Sequence, residues 1–102
     1  MIHSVYFWLS DAGNPGHRQE LIAGLEELRA IQQVRSLTIG TPAPTEARDV
    51  VDASFDVFEQ MVFDSVEDQK AYQDHPLHHR FVERCGHLWS RVVVYDSVAT
   101  GA

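Results

Sequence analysis

Residues 2–9 read Ile2-His3-Ser4-Val5-Tyr6-Phe7-Trp8-Leu9. The run is β-branched and aromatic, is too short for a typical helix, and stops at Ser10-Asp11-Ala12-Gly13-Asn14-Pro15, so it predicts a first strand. Strand alternation sets His3, Val5, Phe7 and Leu9 on one face and Tyr6 and Trp8 on the other. Both faces are apolar. The same holds for Phe55 to Phe63, where Val57, Met61 and Phe63 oppose Phe58 and Val62, and for Arg91 to Tyr95, where Val92 and Val94 oppose Val93 and Tyr95. A sheet with one wet side would alternate cleanly, so these strands require two apolar covers.

Working outward, Asn14 can cap a helix and Pro15 can take its first position, after which Leu21, Ile22, Leu25 and Leu28 recur at helical spacing. This predicts a first helix over about 15–31. Gly24 lies inside it at a cost of ~1 kcal/mol relative to Ala, read here as tolerated rather than as a close approach to a neighbour. Val34 to Ile39, ending at Gly40, is a short second strand, and Thr41 to Ser54 is a long connection with little periodicity. After the third strand, Ser65-Val66-Glu67-Asp68 has the spacing of a capping box and opens a helix reaching about Gln73. Pro76 breaks that helix and starts another, whose Phe81, Val82, Cys85, Leu88 and Trp89 form an apolar stripe. The resulting order is β-α-β-β-α-β, a split βαβ arrangement with a four-stranded antiparallel sheet and helices on one face. The helices supply one cover; a second copy of the chain, packed sheet to sheet about a two-fold axis, is expected to supply the other.

One domain over residues 1–102 fits a chain with 44% apolar and 23% charged residues. Eight Lys and Arg against fifteen Asp and Glu give a net charge of −7, which argues against nucleic acid and anionic membrane surfaces as partners. No apolar run approaches the ~20 residues of a membrane span. The start has neither a basic leader nor a small-residue cleavage site, and the single Cys85 belongs to no disulfide or zinc pattern, so a soluble, cytoplasmic protein is expected. Phosphate loops, nucleophile elbows and dinucleotide fingerprints are absent from the sequence.

The densest polar cluster, Tyr72, Asp74, His75, Pro76, His78 and His79, falls at the helix break. His78 precedes Phe81 by three residues and Val82 by four, so it shares their inward stripe. An inward imidazole there is either a core histidine satisfied by a carbonyl or tyrosine, or a general base in a small pocket. His3, on the Val5 and Phe7 face, either enters the same space, with Tyr72 completing a proton-transfer set, or is a partly exposed terminal residue without a role. His75 can cap the segment begun by Pro76. Its HxxxH spacing to His79 is a poor zinc site, because Pro76 distorts the turn and no third ligand is evident. Glu59 and Gln60 occupy opposite faces of the third strand, so one of them points inward and needs a partner. Cys85 reads as a packing thiol.

At Tyr72-Gln73-Asp74-His75-Pro76-Leu77-His78-His79-Arg80-Phe81 the sequence resembles the stress-responsive A/B barrel (Dabb) domain family. Met1-Ile2-His3-Ser4-Val5, Gly40, Val62-Phe63-Asp64-Ser65 and Val94-Tyr95-Asp96 extend the likeness over nearly the whole chain. The resemblance implies a ferredoxin-like domain that dimerises through its sheets into an α+β barrel. One branch of the family comprises plant polyketide cyclases that perform aldol ring closure without metal or organic cofactor. There a His and a Tyr at the positions of His78 and Tyr72 carry the acid/base chemistry, and a His matching His3 lines the pocket. The third strand departs from that branch by containing no His. The expected function is therefore a homodimeric, cofactor-free acid/base enzyme on a small carbonyl or aromatic compound, with His78 as base, Tyr72 as acid or hydrogen-bond donor and His3 orienting the substrate. The alternative is a non-catalytic stress-responsive or ligand-binding dimeric module in which the HPxH break only fixes the helix kink. The related antibiotic-biosynthesis monooxygenase barrels share the expected fold but not the HPxH cluster.

Overall fold

A computed structural model describes residues 1–101. The elements run β1 (Ile2–Leu9), α1 (Pro15–Glu27), β2 (Ser36–Gly40), β3 (Val57–Val62), α2 (Val66–Gln73), α3 (Pro76–Cys85) and β4 (Trp89–Ser97), with single 3-10 turns at Leu28–Ala30 and Gly86–Leu88. The sheet order is β2-β3-β1-β4 with every neighbouring pair antiparallel, as the β-α-β-β-α-β reading requires. Val5, Phe7, Leu9, Val57 and Met61 on the sheet meet Leu21, Leu25, Tyr72 and Phe81 from the helices in one buried core. Asn14 Oδ1 accepts from the His17 amide (3.1 Å) and Ser65 Oγ from the Asp68 amide (3.0 Å), so both helix starts carry side-chain caps.

Several boundaries differ from the sequence expectation. α1 ends at Glu27 and tightens into the 3-10 turn, because Ile31 leaves the helical region for an extended conformation. Val34 lies in the turn that follows, its amide donating to the Ile31 carbonyl (3.1 Å), and β2 starts only at Ser36. β3 is shorter than 55–63: the Asp56 amide still donates to the Phe7 carbonyl (2.8 Å), but the next β1 amide, that of Leu9, goes to the Asp56 side-chain Oδ2 (2.8 Å) rather than to a backbone carbonyl. β4 is longer than expected, since it pairs with β1 along nearly its whole length through a bulge at Trp8/Leu9.

Gly24 is a correction of substance. A Cβ there would stand 2.6 Å from Cys85 Sγ and 3.3 Å from Phe81 Cδ1, so α1 and α3 approach closely over this position. Gly24→Ala gains helix propensity, yet overpacking of this kind costs ~1–3 kcal/mol. We expect a net loss of stability in Gly24→Ala that is largely relieved in Gly24→Ala/Cys85→Ala, measured by urea unfolding; equal losses in both backgrounds would exclude the thiol as the obstacle.

The second sheet face is also not wholly bare. The connection between β2 and β3 lies along it: Ser54 Oγ accepts from Trp8 Nε1 (3.1 Å), and Phe55 packs edge-on against Tyr6 with ring centroids 5.0 Å apart. Beyond this strap the face stays open. Tyr95 is 64% exposed, and Val62 is exposed as well.

Candidate active site

The helix break aims side chains inward. His75 caps α3, its Nδ1 accepting from the Leu77 amide (3.0 Å), while Pro76 takes the first helical position and its fixed φ suits the turn. This ties up His75 in backbone capping and sets α3 at an angle that returns His78 to Tyr72, the last buried residue of α2. Their ring centroids are 4.9 Å apart in an edge arrangement. Tyr72 is 1% exposed and also meets the His3 ring edge-on at 6.0 Å. His3 is 5% exposed, with Nδ1 paired to Asp96 Oδ1 on β4. A carboxylate can only accept, so Nδ1 carries the proton and the ring is oriented by that bond.

His3, Tyr72 and His78, the three residues singled out in the sequence, thus line one cavity of about 170 Å³ between helices and sheet. Glu59 lines it too, which the sequence reading did not assign. Alternation alone leaves Glu59 and Gln60 equivalent; the structure turns Glu59 to the helix side with Val57 and Met61, whereas Gln60 Nε2 donates to Ser4 Oγ (3.3 Å) on the outer face. The mouth is bordered by Gln73, Val82, Val92 and Val94. Gln73 holds its amide 3.4 Å from His78 Nε2.

Burial governs the charge states. It pushes the Glu59 carboxyl from its ordinary 4.5 up to about 8, so at neutral pH the group holds its proton. It also holds His78 below the usual 6.5, with His79 and His3 adding like-charge repulsion, which favours the neutral imidazole. Tyr72 is driven well above the ordinary phenol range, first by burial and then by the Glu59 charge, and keeps its proton. Neutral base and neutral acids therefore face each other across a largely apolar cavity, the pattern in which acid/base roles divide. Cys85 sits apart at the α1–α3 contact, and burial raises its thiol, consistent with a packing role.

A larger concavity of about 500 Å³ lies on the opposite sheet face, between the strap and Tyr6, Trp8, Phe58 and Tyr95. It holds none of the four polar groups just described.

A family model described as the stress-responsive A/B barrel domain matches residues 1–99. Among curated proteins, no sequence match was found. Several solved structures are similar. An Arabidopsis thaliana protein superposes with a TM-score of 0.79 at 20% identity, covering 99% of this chain and 96% of its own. A dimeric ferredoxin-like protein of unknown function from Thermobifida fusca has a TM-score of 0.72 at 21% identity, covering 92% and 85%. The hydroxynitrile lyase from Passiflora edulis has a TM-score of 0.76 at 18% identity, covering 99% and 94%. At these identities the likeness shows a shared ferredoxin-like fold.

Proposed function

The chain belongs to the stress-responsive A/B barrel domain (Dabb) family, and from that premise we propose that it is a cofactor-independent acid/base enzyme acting on a small carbonyl compound. The observation that carries this reading is the His78–Tyr72 pair, 4.9 Å apart at a cavity open to small molecules. In the reaction, neutral His78 takes a proton from the carbon beside a carbonyl. The C–H pair becomes the new C=C bond and the carbonyl π pair moves onto oxygen, where the Tyr72 hydroxyl donates a hydrogen bond. The enolate is then reprotonated, or attacks a second carbonyl of the same molecule to close a ring, as in the polyketide cyclases of this family. His3, held by Asp96, orients the substrate. The cavity volume is below the ~300–1,000 Å³ of drug-sized ligand sites, which favours a compact substrate over a long poly-β-keto chain. A hydroxynitrile lyase among proteins of this fold supports catalysis on small compounds within it. Incubating small ketones and diketones in heavy water tests the reading: His78-dependent deuterium uptake at the α-carbon is expected, and a lack of uptake across the set would leave the non-catalytic module as the better account.

The active form is proposed to be a homodimer joined through the outer sheet faces. Exposed Tyr95 and Val62 beside half-buried Tyr6 and Phe58 form an apolar face on a slab 36 × 35 × 17 Å in extent, and the Thermobifida fusca protein of the same fold is dimeric. A dimer mass is expected in sedimentation at micromolar concentration. Tyr95→Asp, which alters a residue exposed in the protomer, should weaken association by roughly 30-fold or more; an unchanged dimer would exclude this face.

A further inference from the structure

We propose that Glu59 is the polarising acid of this site: its carboxyl donates a hydrogen bond to the carbonyl oxygen of an uncharged substrate whose adjacent carbon faces His78. The inference rests on the acid/base reading above and extends it to the substrate's charge and to a residue with no counterpart in the His and Tyr set.

Glu59 is 3% exposed, and its Oε2 is buried without a hydrogen-bond partner among the described residues. Pairing with Val5 on one side and Ile39 on the other holds its backbone in the middle of the sheet. An unsatisfied buried polar atom destabilises the fold, and an apolar residue in this strand position would avoid that cost. The cavity that Glu59 lines supplies an explanation, because a partner can arrive from it. The groups facing Glu59 are His3 from β1, itself bonded to Asp96 of β4, Tyr72 from α2 and His78 from α3; α1 buries Leu21 and Leu25, and β2 presents Ile39. Neither Lys nor Arg lines the cavity, so an anionic substrate would enter with no countercharge. An uncharged carbonyl compound satisfies Glu59 while keeping the cavity neutral.

The step balances without a co-reactant. The α C–H bond breaks and its proton goes to the His78 ring nitrogen, the electron pair forms C=C, and the charge arriving on oxygen is held by the Glu59 O–H and the Tyr72 O–H. Return of the proton restores every group. Burial of the carboxyl, which keeps it protonated at neutral pH, supports the donor role.

The test uses cyclopentanone labelled with ¹³C at its carbonyl, with cyclopentylamine and cyclopentanecarboxylate as charged counterparts. Expected is saturable binding of the ketone with a downfield carbonyl shift, at least tenfold preference over both charged probes, and at least tenfold weaker ketone binding to Glu59→Leu. Glu59→Gln keeps an N–H donor and should retain the shift, including above pH 8, where the wild-type protein loses the part that Glu59 supplies. His78→Ala should bind the ketone and show the shift without α-deuterium uptake. If the ketone binds through Glu59 yet no uptake occurs in wild type, the catalytic reading falls and the Glu59 assignment stands. Uptake that needs His78 but is unchanged in both Glu59 variants, a preference for either charged probe, or no ketone binding would overturn the Glu59 assignment.

Discussion

Replacing His78 with Ala should lower turnover by roughly 10²–10⁴-fold, the range expected when a positioned general base is removed. The side chain is half-buried at the cavity, so its loss should leave the protein folded and separate a chemical effect from a structural one. The pH profile carries the diagnostic information. His78 is held below its ordinary 6.5 by burial and by the neighbouring imidazoles of His79 and His3, so the rate should rise with pH on a limb lying below 6.5 and be level near neutrality. It should fall again at about pH 8 as Glu59 loses its proton. Tyr72→Phe removes the hydroxyl while keeping the ring that packs on Phe63 and His78; we expect a smaller loss with both limbs retained. Turnover in His78→Ala within about threefold of wild type, or an acid limb lying above 6.5, would remove His78 from the chemistry.

Stability should depend on pH through Glu59, and strongly. Below about pH 4.5 the carboxyl is protonated in folded and unfolded chains alike, and burial exacts no charge-related cost. Between 4.5 and about 8 the unfolded chain releases the proton while the folded chain keeps it, so stability falls as pH rises. Above 8 the full penalty is present. A gap of this size corresponds to several kcal/mol, less whatever water entering the open cavity recovers. Glu59→Gln removes the titration. Its urea midpoint should therefore exceed that of wild type by more than about 1 M at pH 8.5 and converge on it at pH 4.5. His78 acts in the opposite sense: its lowered value makes the neutral form the native one, and stability is lost as pH falls through 6.5. Comparing wild type with Glu59→Gln isolates the carboxyl from that background. Parallel curves for the two proteins would mean that Glu59 is ionised in the folded state.

Much of this architecture is written locally. Two apolar faces on Ile2–Leu9, helical spacing after Asn14-Pro15, the cap at Ser65 and the break at Pro76 each follow from backbone sterics and side-chain periodicity within a few residues, and together they dictate the β-α-β-β-α-β order. The inward placement of His3 and His78 was legible for the same reason, since each sits on a stripe whose direction its apolar neighbours mark; Tyr72, the one buried residue of polar α2, was legible only through the likeness of the cluster at the helix break. Glu59 was legible only as one half of an ambiguity. Whether it or Gln60 turns inward depends on the β1–β3 register and on the sheet face that the helices cover, which are relations between distant segments. The approach of α1 to α3 at Gly24 and the strap over Tyr6 and Trp8 are likewise long-range. Residue order alone thus determined the elements, their sequence and the inward stripes, because those depend on neighbours along the chain. Only the folded structure decided that the Glu59 carboxyl, and not the Gln60 amide, is buried in the cavity of the imidazoles, and what charge it carries, because desolvation is a property of the space enclosed when remote segments pack together.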